Sequence, residues 1–170
     1  KMRKPGYVLI SLIDCNCLRR PQRVKQCADT YENGLAAICL EFAHRGYGVK
    51  LVPFCINEDD MLAAQRVMDR CLAQESIDVR ISPYTGDIPA TLTEIAEAEY
   101  IVATRFHAMI LGWKYGKPTY PIIYNRKQLS VIRDMDYQGA YCNIEAIEPT
   151  RASEIADTLI GSGGFCCNRA

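Results

Sequence analysis

The chain has 170 residues, about half of them apolar, so it is long enough to bury a hydrophobic core, and we expect a single domain spanning residues 1–170. Twenty Lys and Arg balance twenty Asp and Glu, so the chain lacks the basic excess with which proteins neutralise nucleic-acid phosphates. No apolar run reaches the roughly 20 residues of a membrane span, and the first residues lack a signal-peptide pattern. We therefore expect a soluble, cytoplasmic protein with no transmembrane segment and no nucleic-acid partner.

In chain order, the apolar pattern predicts strand 7–13, a polar loop 14–26, helix 29–45, strand 49–56, helix 57–72, strand 78–84, helix 87–97, strand 99–104, helix 105–115, strand 118–124, helix 127–135, edge strand 140–144 and helix 153–160. The strands are almost continuous apolar runs, as expected when both faces of a sheet are covered. The first long helix has Leu35, Ile38 and Phe42 at three- and four-residue spacing and stops at Gly46. This alternation predicts an α/β fold, with a Rossmann-like parallel sheet and helices on both faces.

The nine cysteines do not have the spacing of a zinc site. Cys39, Cys55 and Cys71 lie in apolar periodic segments, where a free thiol usually packs as a small hydrophobe. Cys15 and Cys17 follow the first strand, but a single spacer residue is poor geometry for chelating a metal. We therefore predict no metal.

In a parallel sheet of this kind, ligands bind outside the carboxyl ends of the strands. The loops at those ends, and hence the candidate site loops, are 14–26, 55–60, 83–89, 104–107 and 124–127. No G-x-G-x-x-G follows the first strand and no Walker motif is present, so neither a dinucleotide site nor a P-loop is indicated.

One of these loops places two cations at the start of a helix. Arg105 and His107 lie in its first turn, where the helix dipole disfavours positive side chains by up to ~1 kcal/mol each. We predict that Thr104 caps this helix through its hydroxyl, so that free amides, an imidazole and a guanidinium converge and suit a phosphate or carboxylate. Two simpler alternatives stay open on the residues alone: Arg105 pairs with an acidic residue such as Glu97 or Glu99, and His107 is a core histidine.

A family resemblance is carried by residues 101–127, IVATRFHAMILGWKYGKPTYPIIYNRK. This segment resembles the signature segment of the polysaccharide pyruvyl transferases, whose members have a small residue–Arg–(Leu/Phe)–His–(Ala/Ser) turn, an apolar helix, Gly-x-Pro, an apolar strand and Tyr-Asp-x-Lys. The counterparts here are TRFHA at 104–108, GKP at 116–118 and YNRK at 124–127, with Asn125 in the usual place of Asp. A looser match extends over residues 7–135.

The resemblance implies a transferase that moves the pyruvyl group of phosphoenolpyruvate onto sugar hydroxyls of a polysaccharide or its precursor, forming a cyclic ketal. It implies a role in exopolysaccharide or cell-envelope biosynthesis, a glycan or lipid-linked sugar as acceptor, and no cofactor beyond the donor substrate. The fold it implies is the C-terminal domain of a GT-B-type two-domain enzyme. The chain would then be the C-terminal half of a larger protein, and without its N-terminal domain we expect weak binding and no turnover.

The resemblance also implies roles for individual residues. His107 is the predicted catalytic residue, because moving a proton to the enol carbon of the donor suits a group that titrates near neutrality. Arg105 suits the donor's carboxylate or phosphate, and Lys127 closes the anion site from the next loop. The residues predicted to bind substrate are Ser11, Thr104, Arg105, Phe106, Arg126 and Lys127.

The chain departs from the family where many members carry a donor-binding arginine at the end of the first strand. Ile13 stands at that place, and Arg19, Arg20 or Arg23 on the following loop are candidates to replace it. Two other functions stay open. One is a GT-B glycosyltransferase half-domain that binds a nucleotide sugar, although no acidic residue is clearly placed for its ribose. The other is a family member that has kept the fold and lost the chemistry.

Overall fold

The computed structural model describes residues 6–162, and these form one six-stranded sheet with its helices. The strands are β1 (Tyr7–Ser11), β2 (Gly48–Val52), β3 (Val79–Ile81), β4 (Tyr100–Ala103), β5 (Thr119–Ile123) and β6 (Cys142–Asn143). They lie in the order β3-β2-β1-β4-β5-β6, and all neighbouring strands are parallel. The predicted α/β fold with a parallel sheet is confirmed.

The helices are α1 (Gln22–Gln26), α2 (Ala28–His44), α3 (Asp60–Gln74), α4 (Ile88–Glu97), α5 (Phe106–Lys114), α6 (Arg126–Asp134) and α7 (Ala152–Gly161). Short 3₁₀ turns lie at Ile56–Glu58, Ile144–Ala146 and Pro149–Arg151. Every predicted helix is present close to its predicted bounds. The short α1 was missed, because five residues with one buried side chain give no readable periodicity.

The predicted strands end earlier in the structure than in the sequence pattern, by two to four residues for β1, β2 and β3. Leu12 and Ile13 are fully buried but follow the last residue of β1, and β2 stops directly before Pro53. Proline has no amide to extend a strand ladder. An apolar run indicates that residues are buried, and in β1 the buried residues continue past the last residue that pairs with a neighbouring strand.

Both faces of the sheet are covered, as predicted. Val8 and Ile10 of β1 belong to one buried cluster with residues of α2, α3 and α7. Leu9, between them, belongs to a second cluster with residues of α4, α5 and α6. Alternate residues of a strand face opposite sides, so the near-continuous apolar run of β1 serves two cores, in which Phe42 and Trp113 are among the largest buried side chains.

The cysteines behave mainly as core residues. Cys39 and Cys71 are fully buried, as predicted, whereas Cys55 is only half-buried on the loop after β2. Within residues 6–162 all cysteines are free thiols, and no group of three or more His, Cys, Asp or Glu side chains is arranged to hold a metal ion. None of the helices in this part of the chain combines the length and the apolar character needed to cross a membrane.

Candidate active site at the carboxyl edge of the sheet

The central strands end level with one another at their carboxyl ends. Ser11, the last residue of β1, pairs with Val52 of β2 and with Ala103 of β4. The loops that follow these strands therefore emerge side by side, and side chains from four of the five predicted site loops, 14–26, 55–60, 104–107 and 124–127, contact one another. The fifth loop, 83–89, follows the edge strand β3 and contacts the chain just after β2.

Arg105 is held side-on by a buried carboxylate. It is the N-cap residue of α5, and its Nε and Nη2 atoms donate to the two oxygens of Asp60 at 2.8 and 2.6 Å. Nη2 also donates to Oε2 of Glu58 at 2.7 Å. The acidic partners are therefore Glu58 and Asp60 from the loop after β2, and not Glu97 or Glu99, which precede the amino end of β4.

A second arginine reaches the same glutamate. Arg20, on the loop after β1, donates from Nη2 to Oε2 of Glu58 at 2.7 Å and from Nε to the carbonyl oxygen of Asp14 at 3.1 Å. Its guanidinium carbon lies 5.1 Å from the centroid of the Tyr124 ring, a cation–π contact. The side chain is only 8% exposed. Arg20 and Arg105 thus converge on one carboxylate oxygen.

Of the three arginines that could replace the family arginine missing at Ile13, Arg20 is the one that lies beside Arg105 and Glu58. Arg23 donates to Glu145 at 2.6 Å and to the carbonyl oxygen of Tyr124 at 2.5 Å rather than to Glu58, and Arg19 is exposed. Ile13 itself is fully buried in the core that contains α2. The cation at this edge therefore comes from the loop, while Ile13 serves packing.

The charged groups of this cluster shift one another's pKa values. Burial disfavours the charged form of Arg105, but its hydrogen bonds to Asp60 and Glu58 outweigh this and raise the pKa of Arg105 above its ordinary value. Burial likewise disfavours the Glu58 carboxylate, yet Arg105 and Arg20 hold its pKa below its ordinary value. The pKa of Asp60 is raised, because burial outweighs its bonds to Arg105 and to two backbone amides. Arg105 and Glu58 therefore stay charged at neutral pH.

His107 is exposed in the first turn of α5. Its ring packs edge-on against Phe106, with ring centroids 5.8 Å apart, and it donates no hydrogen bond to the part of the chain that the structure describes. The alternative of a core histidine is therefore wrong. An imidazole in this position is accessible to a substrate, and its catalytic role stays a prediction.

Lys127 reaches the same surface from α6. Its Nζ lies 4.1 Å from the centroid of the Phe106 ring, a second cation–π contact. Phe106 begins α5 and Lys127 is the second residue of α6, so the N-termini of the two helices meet here. The structure thus brings Arg105, Phe106, His107 and Lys127 together at one edge, and their roles in binding stay predictions.

The start of α6 keeps its cap despite the departure at Asn125. The side-chain oxygen of Asn125 accepts a hydrogen bond from the backbone amide of Gln128 at 3.0 Å. Asparagine caps helices about as well as aspartate, so the substitution preserves the helix start. Arg126 follows as the first residue of α6 and is exposed, and its predicted role in binding is untested.

The expectation that Thr104 caps α5 is wrong. The N-cap position is Arg105, which makes no side-chain capping bond, and the Thr104 hydroxyl pairs with the Tyr31 hydroxyl at 2.7 Å inside the core. Instead, Oγ of Ser11 accepts a hydrogen bond from the backbone amide of Arg105 at 3.0 Å. Ser11 and Thr104 are both fully buried and position the start of α5; substrate contact by either residue stays a prediction.

Gln128, which the sequence analysis did not single out, ties the site loops together. Its Oε1 accepts from the amide of Tyr124 at 2.9 Å, and its Nε2 donates to the carbonyl oxygens of Thr104 and Ile122 at 2.7 and 3.1 Å. The side chain is fully buried. The sequence does indicate this burial, because Gln128 lies four residues before Ile132 and therefore on the core-facing side of α6.

We expect Gln128→Leu to lower the free energy of unfolding by about 3 kcal/mol, because a leucine of similar size leaves three backbone groups without their partners. Chemical denaturation measures the loss. Gln65→Leu is the matched control, since Gln65 is exposed on α3 and, within residues 6–162, its side chain bonds only Asp69 one turn away. We expect a change within about 0.5 kcal/mol. Equal losses in the two variants would contradict the bridging role.

Comparison with solved structures shows the fold. The chain is similar to a protein described as a UDP-N-acetylglucosamine 2-epimerase from Listeria monocytogenes, with a TM-score of 0.61 and 9% identity over 97% of this chain and 40% of that chain. It is also similar to a glycosyl transferase family 9 protein from Veillonella parvula, with a TM-score of 0.57 and 10% identity over 92% of this chain and 46% of that chain. These likenesses confirm the Rossmann-like, GT-B-type fold. The chain spans less than half the length of either neighbour.

Comparison of the sequence shows the family. No curated protein is significantly similar to the chain in sequence. The sequence model of the polysaccharide pyruvyl transferases, however, matches residues 17–126. The match covers well over half of the chain and includes Arg20, Glu58, Arg105 and His107. The chain therefore belongs to the polysaccharide pyruvyl transferase family.

Proposed function

We propose that the protein transfers the pyruvyl group of phosphoenolpyruvate to sugar hydroxyls of a polysaccharide or its precursor. The observation that supports this most is that an exposed imidazole, His107, follows Arg105 in the first turn of α5 at the carboxyl edge of the sheet, and that both His107 and Lys127 contact the ring of Phe106. In this proposal the chain is the C-terminal half of a two-domain enzyme, which agrees with its span of less than half of its structural neighbours.

The proposed donor carries a phosphate and a carboxylate, so its site needs several cations. Arg20 and Arg105 are both nearly buried, and a guanidinium in a water-poor place binds an oxyanion through short, charge-assisted hydrogen bonds. Lys127, over the ring of Phe106, adds an ammonium group at the N-terminus of α5. These groups would hold the donor and stabilise the phosphate as it leaves.

The proposed reaction needs one mobile proton acceptor and donor. His107, as imidazolium, gives a proton to the methylene carbon of the donor, and positive charge develops on the neighbouring carbon. One sugar hydroxyl attacks that carbon and returns its proton to His107. The bond to phosphate breaks, a second hydroxyl attacks, and its proton leaves with the phosphate. The products are a ketal with a methyl group and inorganic phosphate, and general acid–base catalysis of this kind contributes roughly 10²- to 10⁴-fold in rate. The scheme uses no metal and no cofactor.

A donor assay on the full-length protein tests this function. Phosphate release from phosphoenolpyruvate and mass spectrometry of the acceptor are followed with candidate glycan and lipid-linked acceptors. The same acceptors are supplied with nucleotide sugars in parallel. We expect acceptor-dependent phosphate release and a pyruvyl-modified glycan. Transfer from nucleotide sugars alone would make the protein a glycosyltransferase, and no transfer from either donor by the folded protein would make it a non-catalytic family member.

A further inference from the structure

One carboxylate oxygen lies between the two nearly buried arginines of the site, Arg20 and Arg105. Oε2 of Glu58 accepts from Nη2 of Arg20 and from Nη2 of Arg105, each at 2.7 Å. Both distances are those of strong, charge-assisted hydrogen bonds. A phosphate or carboxylate oxygen of a ligand would make the same two bonds at the same place.

The two acidic partners of Arg105 differ in how they are held. Asp60 is fully buried, takes both the Nε and Nη2 of Arg105, and accepts from the backbone amides of Cys55 and Asp14 at 3.1 and 3.4 Å. Glu58 has a side chain that is 25% exposed, and within residues 6–162 its carboxylate is bonded by the two arginines alone. Asp60 therefore orients Arg105, whereas Glu58 chiefly neutralises charge.

The turn that carries Glu58 makes few buried contacts. Ile56–Glu58 is a single 3₁₀ turn with no buried residue, and the Ile56 side chain is 66% exposed. The turn ends at Asp59 in the left-handed region, at φ 61°. Few buried contacts make a segment cheap to displace. Arg20 would keep its place when Glu58 moved, since the carbonyl of Asp14 and the ring of Tyr124 also hold it.

We propose that the Glu58 carboxylate is an internal stand-in for an oxyanion of the donor, which closes the two-arginine site when it is empty and gives way when the donor binds. This inference rests on the proposed function for the identity of the donor. It makes Arg20, together with Arg105, part of the oxyanion site, and it assigns Glu58 a role in setting donor affinity. In the absence of ligand, Glu58 thus supplies the countercharge of the nearly buried Arg20 and adds a second carboxylate partner to Arg105, which Asp60 already pairs.

An internal competitor lowers apparent affinity by the fraction of time that the site is open. If Glu58 occupies the site for about nine-tenths of the time, its removal strengthens oxyanion binding about tenfold. We therefore expect Glu58→Gln to lower the dissociation constant of inorganic phosphate or of pyruvate about tenfold in calorimetric titrations of the full-length protein, with little change in Tm. The fragment that gains affinity identifies which group of the donor replaces the carboxylate.

Glu145→Gln is the matched control. Glu145 also follows the carboxyl end of a strand and pairs with an arginine, Arg23, at 2.6 Å, so the variant makes the same change of charge outside the two-arginine site. We expect it to leave both dissociation constants unchanged. Adding Arg20→Gln to Glu58→Gln should abolish the gain in affinity, because one of the two donors to the oxyanion is then absent.

Hydrogen exchange supplies a second measurement that needs no variant. Donor binding should speed amide exchange in the turn 56–58 of the wild-type protein, where ordinary binding would slow it. Unchanged or weaker oxyanion affinity in Glu58→Gln, or slower exchange in the turn, would overturn the proposal and make Glu58 a structural brace. Tighter phosphate binding by Glu58→Gln, in a protein that does not transfer pyruvyl groups, would overturn only the proposed function. Pyruvyl transfer by the wild-type protein, without any gain of oxyanion affinity in Glu58→Gln, would overturn only the stand-in role of Glu58.

Discussion

Replacing His107 with alanine should slow pyruvyl transfer by a factor of about 10² to 10⁴ while leaving Tm almost unchanged. The kinetic loss is that of a general acid–base residue. The small structural effect follows from exposure, because the His107 ring is on the surface and contacts mainly the edge of Phe106. Steady-state kinetics of the full-length enzyme with phosphoenolpyruvate, together with thermal unfolding, measure the two quantities.

His44→Ala is the matched control, since His44 is the only other histidine of the chain. It is exposed at the last residue of α2, on the amino side of the sheet, and its hydrogen bond to Glu75 at 2.6 Å raises its pKa. We expect wild-type turnover from this variant. A His107→Ala enzyme that keeps its turnover and its pH profile would rule out the proposed proton transfer.

Replacing Arg105 with alanine should lower both donor affinity and stability, and the second effect was not evident in the sequence. Asp60 is fully buried and would lose two hydrogen bonds and its countercharge, while keeping its bonds to two backbone amides. Breaking a buried ion pair from one side costs about 3 kcal/mol or more. Chemical denaturation measures this loss, and titration with phosphoenolpyruvate measures the affinity.

The stability loss has a predicted pH dependence. Burial already raises the pKa of Asp60, and Arg105 is the group that offsets this shift most. Without Arg105 the pKa of Asp60 rises further, so the folded state favours a protonated Asp60 that costs little to bury. The deficit should therefore be largest near neutral pH and shrink as the pH falls towards the ordinary range of a carboxyl group.

Two further variants isolate the ion pair. Combining Arg105→Ala with Asp60→Asn should cost less than the sum of the two single changes, because the buried charge is removed with its partner. Arg80→Ala is the surface control: Arg80 pairs with Asp78, both side chains are mostly exposed, and we expect a loss below about 1 kcal/mol. Additive losses in the double variant would mean that Arg105 supports the fold through other contacts.

Much of the fold was predictable because its elements carry strong periodic signals. The helix α2 has its apolar residues at helical spacing and its stop at Gly46, where φ is 88°. The strand ends were less predictable, because Leu12 and Ile13 continue the apolar run of β1 inside the core without extending the strand. The parallel direction of the strands followed from the alternation of helix and strand, whereas their order and the level ends at Ser11 came only from the structure.

The candidate site, too, was predictable only in part. Cations in the first turn of a helix, at a strand's carboxyl end, are visible in the sequence, and they singled out Arg105 and His107. Their environments were not visible. Glu97 and Glu99 are nearer to Arg105 in sequence, but β4 separates them from it, and the actual partners Glu58 and Asp60 come from a different loop.

The sequence by itself determined the alternating fold, the family and the edge of the sheet at which its polar residues gather, because periodicity and motif spacing are local properties of the chain. Only the tertiary structure decided which charges meet. Thr104 does not cap α5, because its hydroxyl pairs with that of Tyr31 inside the core, and Ser11 instead accepts from the backbone amide of Arg105. Arg105 proved to be paired and His107 exposed, because both outcomes depend on loops brought together by strand pairing across the sheet.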